Sequence, residues 1–177
     1  MPQASRLFSF TSWVVRIATV LCLVLAALLM LAVGGVMAAV LGLFSIPLPA
    51  SVTGGFPIQA VLLAAAMVIV VCDVVVGLVA VILVLVGRIV DSARAGDPFV
   101  VKNADRLNGI GLLMLAAQGV GLVTGMMVEA LPKPIHDHVS FGFDVSFSGL
   151  FAALLVFVLA QIFRHGAMMR DELEGTV

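Results

Sequence analysis

Charge is what this chain has least of. Asp, Glu, Lys and Arg make up only 11% of its 177 residues, against 63% hydrophobic, and the mean hydropathy is +1.27. Soluble domains carry about a quarter charged residues, so a water-exposed globular fold is excluded. The net charge of −1 gives no basic field, so direct nucleic-acid binding is not expected. Cysteine is nearly missing too. Cys22 and Cys72 sit inside apolar runs at different depths, so no intramolecular disulfide is expected and both read as small packing residues. The sequence also holds no GxSxG, HExxH or GxxxxGK[ST] pattern, so it does not read as an enzyme and no cofactor is expected.

What is present is apolar and long. Runs cover Ile17–Phe44, Ala60–Gly87, Ile110–Leu131 and Gly149–Phe163, the last completed upstream by "DVSFS". A bilayer core takes roughly 20 residues of helix, so these predict an all-α integral membrane protein with four transmembrane helices. The approximate spans are 17–44, 60–87, 108–131 and 145–164 of a single domain. The first run is longer than the apolar stretch of a secretory signal and reads as an uncleaved anchor. Its Gly34–Gly35 pair suggests close packing or a bend.

Arg6, Arg16, Arg88, Arg94, Lys102, Arg106, Arg164 and Arg170 fall on one side, and only Lys133 falls opposite. The positive-inside rule then places both termini and the middle loop in the cytoplasm, in a multi-pass inner-membrane topology. In the second outer loop, "VSFGFDVSF" alternates partly at period two, which permits a short extended piece.

Asp73 stands near the middle of the second run. A central aspartate costs about 2.5–3.5 kcal/mol on insertion. The 18 Leu, Ile and Val residues between Val61 and Val86 offset it. Ala66, Gly77 and Ala80 share its helical face, which predicts that it faces the bundle. In the third run Ala117, Gly121 and Gly125 offer a matching face, and Gln118 and Thr124 are candidate hydrogen-bond partners. No Lys or Arg lies in a span core, so the expected form is a neutral, hydrogen-bonded acid, with a proton or cation relay as its functional counterpart. Such a relay would need copies to assemble, a homo-oligomer forming a small transporter or channel.

Outside the membrane, "IHDHVS" sets His136 and His138 on one face if the segment is extended. Two of four ligands make a weak transition-metal candidate, and a solvated loop is the better reading, with no metal expected.

The most ordered polar stretch is "AGDPFVVKNADRLN". Asp97 reads as an N-cap and Pro98 as the first helical residue, with Gly96 permitting the turn before them. That helix would present Phe99, Lys102, Asp105 and Arg106 before running into the third span. The C-terminal "FRHGAMMRDELEGTV" supplies Asp171, Glu172 and Glu174 on the same side, so Arg94, Lys102 or Arg106 are expected to pair with them.

These two segments resemble an uncharacterised bacterial family, domain of unknown function 2975. Its members share the four-span layout, and the resemblance is expected over nearly the whole chain. The family's "G-x-PF…N…L" element corresponds to Gly96, Pro98, Phe99, Asn103 and Leu107. Its C-terminal motif corresponds to Phe163, Gly166, Asp171, Thr176 and Val177, with Met169 where leucine is usual. The resemblance implies a membrane partner for a small cytoplasmic helix-turn-helix regulator. The expected interaction surface therefore comprises the middle loop, including Lys102, Asn103 and Arg106, and a tail including Arg170, Asp171, Glu172, Glu174 and Thr176.

Overall fold

The second apolar run is dominated by valine, which in water would favour strands. In lipid, no water satisfies the backbone, and a single segment can do so only by closing its own hydrogen bonds as a helix. The computed structural model describes residues 2–44, 47, 53, 55–129 and 146–174. It contains four helices: α1 (Pro2–Val40), α2 (Ile58–Arg94), α3 (Val101–Glu129) and α4 (Phe147–Glu174). All four are long and apolar enough to cross a membrane, and the described residues form no strand. The extended piece expected in "VSFGFDVSF" lies almost wholly outside the described residues.

Each helix outruns its apolar stretch. α1 starts far ahead of Ile17, α2 continues past Gly87 to Arg94, and α4 continues past Phe163 to Glu174. The extra turns lie at one end of the molecule, where Arg16 approaches Asp91, Arg94 reaches Ser12, and Arg164 meets Asp105. This shared end carries the first turns of α1, the last turns of α4 and the α2–α3 connection.

The bundle consists of two antiparallel hairpins. α1 packs along α2, α3 packs along α4, and the hairpins join where α2 meets α3. Along α1, the partly buried residues Val15, Thr19, Cys22, Ala26, Leu29 and Val33 recur at intervals of four and three. Leu62, Ala66, Ile69, Asp73, Val76 and Ala80 repeat that interval on α2. This is the seam spacing of paired helices. The remaining circumference of α1 is exposed Leu, Val and Met, the surface that lipid covers. Cys22 and Cys72 are free thiols.

The deepest packing lies elsewhere. Leu107, Ile110 and Ala160 form a buried cluster, and Leu85, Ile89, Val156 and Phe163 close around it from α2 and α4. On α4, Ala153, Ala160 and Ala167 are all buried at intervals of seven, which lets α3 approach closely.

The Gly-Asp-Pro segment differs from expectation. Gly96 adopts φ +88°, its N–H bonds the Ala93 carbonyl, and the Asp97 N–H bonds the Ser92 carbonyl. That pair of bonds is a Schellman cap, so the segment ends α2 and does not begin α3. Pro98 follows as the residue that prevents α2 from continuing, and α3 opens only at Val101. Asp97 is not the N-cap of α3, because the helix opens only at Val101; its carboxylate pairs with Arg170 instead.

Candidate functional site

At the shared end, the α2–α3 connection and the last turns of α4 close on one another around Asn103. This side chain is completely buried. A buried carboxamide without partners costs about 1–3 kcal/mol, so its surroundings have to satisfy it. Its Nδ2 donates to the Pro98 carbonyl at 2.9 Å and to Ser92 Oγ, and its Oδ1 accepts from Arg106 Nη1 at 2.7 Å. The same Arg106 nitrogen also donates to the Arg88 carbonyl at 2.9 Å, while Ser92 Oγ donates to the Ile89 carbonyl at 2.8 Å. One residue of α3 thus ties down the end of α2 and the connection after it.

Over this polar knot lies an aromatic contact. Phe99 stacks at a tilt on Phe163 of α4, with ring centroids 5.2 Å apart. Gly166 sits one turn beyond Phe163, where a Cβ would come within 3.0 Å of the Phe99 ring. A larger residue there would push on the ring, which glycine lets lie close against α4. Ion pairs flank the rings. Arg170 binds Asp97, and Arg164 binds Asp105 at 2.8 Å. Both pairs are partly exposed, so each contributes about 0–1 kcal/mol.

The structure joins the two motifs expected to form one surface and adds pairings that were not expected; the expected pairs to Asp171 and Glu174 fall on side chains outside the described residues. The anticipated contacts ran from loop cations to tail acids. The observed ones run from tail cations, Arg164 and Arg170, to loop acids, Asp105 and Asp97. Arg106 is turned inward to Asn103, and Arg94 donates to Ser12 Oγ of α1 at 3.3 Å. Lys102 and Glu172 are exposed. Asp171 and Glu174 lie on α4 with side chains outside the described set, and Thr176, His136 and His138 are also outside it. Ser92 was not anticipated. Nothing marks a serine in the last turns of α2 until Asn103 is seen to reach it.

Asp73 is separate from this site. It lies on the α2 seam facing α1, in line with Ala66, Ala80 and Gly87, where a Cβ on Gly87 would meet Val15 of α1. Carrying that register two heptads along sets Asp73 opposite apolar Leu29. Its Oδ1 is buried without a hydrogen-bond partner. Neither proposed partner serves it. Thr124 Oγ1 donates to its own helix at the Val120 carbonyl, 2.7 Å away, and Gln118 Oε1 accepts from the Ser146 N–H at 2.9 Å. Both belong to the α3–α4 hairpin, whereas Asp73 faces α1.

The model of a family described as Protein of unknown function (DUF2975) matches residues 47–177, which takes in α2, α3, α4 and the whole clasp but leaves α1 outside the match. No curated protein and no solved structure matches the chain.

Proposed function

The chain belongs to the DUF2975 family, and from that premise we propose that it is an interaction protein of the bacterial cytoplasmic membrane, not an enzyme. Its partner docks on the surface formed by the α2–α3 connection and the end of α4. The observation that carries this reading is the clasp itself: Phe99 on Phe163 and Gly166, flanked by Arg170–Asp97 and Arg164–Asp105. Joining a loop to a helix end that extends ten residues beyond Arg164 makes a shaped polar surface, which a bare anchor does not require. The excess of cations at this end favours its placement in the cytoplasm, with both termini inside. The partner class, a small helix-turn-helix regulator, comes from the family resemblance.

The test is crosslinking from Lys102 in native membranes, comparing the intact chain with an Asp97→Ala/Arg170→Ala variant. A regulator should be captured by the intact chain and recovered about tenfold less with the variant, the equivalent of ~1.4 kcal/mol. Equal recovery of the same partner would refute the clasp as its docking surface.

A second reading rests on the buried, unpartnered Oδ1 of Asp73. An unpaired acid inside a membrane is a natural place to carry a proton or cation, here within an oligomer. Proteoliposomes should then show an ion flux that Asp73→Asn abolishes. Unchanged flux in the variant rules the acid out as a carrier.

A further inference from the structure

Between α1 and α2, at the shared end, runs a groove of about 360 Å³ that the clasp does not use. Its two cations are placed by the sequence. Arg16 stands immediately before the first apolar run and Arg88 immediately after the second, so both guanidiniums lie where the apolar surface gives way to polar. Below them the lining turns apolar, with Val20, Leu83 and Val84. Val20 and Val84 are exposed, so the groove opens sideways to lipid.

The charge in the groove is unbalanced. Asp91 is its only carboxylate, and it meets Arg16 loosely at 3.8 Å with both side chains largely exposed. Among the described residues, no ion pair engages the Arg88 side chain; its backbone carbonyl is what Arg106 uses. Two cations against one acid leave net positive charge above an apolar floor.

We infer that this groove binds an anionic phospholipid, its phosphate held by Arg16 and Arg88 and an acyl chain lying along Val20, Leu83 and Val84. Basic pockets between transmembrane helices suit such headgroups, and arginine suits phosphate oxygens because its planar fork donates twice. The site depends on α1, which lies outside residues 47–177, so it is independent of the family match and of the clasp.

The experiment uses the purified full chain in detergent, delipidated, with lipid binding followed by native mass spectrometry. Phosphatidylglycerol should bind at least about tenfold more tightly than phosphatidylcholine. Arg16→Ala/Arg88→Ala should bring the two lipids level, whereas Lys102→Ala, which removes a cation from the same end outside the groove, should preserve the preference. Val84→Trp keeps both arginines but fills the groove, and it should lose phosphatidylglycerol while circular dichroism stays unchanged. That variant decides the matter if the double substitution misfolds. Retention of the preference in Val84→Trp overturns the proposal. So does displacement of phosphatidylglycerol by equimolar inorganic phosphate, which would make this a plain anion site with no role for the acyl chain.

Discussion

The two hairpins are built from similar residues and held by different means. The α1–α2 pair is a long, nearly uniform seam in which α1 is touched on one side only. The α3–α4 pair, together with α2, is shorter and is fastened at one end by a fully buried asparagine, an aromatic contact and two ion pairs. Without a hydrophobic driving force between helices in lipid, association rests on close packing and on hydrogen bonds. The second hairpin uses both. The first has little beyond packing, apart from its ties at the shared end, and it even leaves one carboxylate oxygen unpaired. Burial in this molecule is therefore concentrated around α3, and α1 is the span that buries least of its apolar surface.

The largest effect should come from Asn103. Asn103→Leu strands the Arg106 guanidinium and the Pro98 carbonyl, and should cost about 2–3 kcal/mol, read as earlier loss of helicity in an SDS titration. Asn103→Asp keeps the shape but removes both donated hydrogen bonds, so it should cost nearly as much. If Asp is tolerated and Leu is not, the clasp is held by polarity in general and not by these bonds.

A second prediction applies the same substitution to the two hairpins. At Gly111 of α3, a Cβ would lie 2.8 Å from the Phe157 ring of α4, while at Gly77 of α2 it would meet nothing within 4 Å. Gly111→Ala should therefore be destabilising by up to about 2 kcal/mol, overpacking against the ring outweighing the gain in helix propensity. Gly77→Ala should be neutral or stabilise by up to about 1 kcal/mol through helix propensity. Equal effects in the same SDS titration would mean that the hairpins are packed alike.

Gly77 also shows how far the sequence could be read. Four spans, and the end that carries the charges, follow from apolar length and from the distribution of Arg and Lys. The resemblance paired the two motifs whose residues meet at Phe99, Phe163 and Gly166. Helix facing was harder, because α2 is apolar nearly all round and its pattern names no partner. Small residues mark close contact at Ala66 and Ala80 but not at Gly77 or the Gly34–Gly35 pair, where the space is open. Gly-Asp-Pro was ambiguous for a different reason. A glycine and proline around an aspartate suit the end of one helix as well as the start of the next, and it is the pair of bonds from the Gly96 and Asp97 N–H groups to the Ala93 and Ser92 carbonyls that separates them. That Arg164 and Arg170 reach Asp105 and Asp97 depends on which α4 residues meet the loop, a matter of tertiary register that local charge does not encode.

The smallest effect distinguishes fastening from shaping. Asp97 and Arg170 are joined at the rim of the clasp with both side chains more than a third exposed, so water and salt screen them. A double-mutant cycle of Asp97→Ala and Arg170→Ala should return a coupling of about 0–1 kcal/mol, shrinking further at high salt. Capture of the partner through Lys102 should nevertheless fall with the same pair removed. A coupling well above that range would make the pair part of what holds the hairpin together, and a lost partner would then follow from a loosened fold. A small coupling with lost capture would separate the two hairpins by purpose, with one packed for the membrane and the other ending in a surface built for recognition.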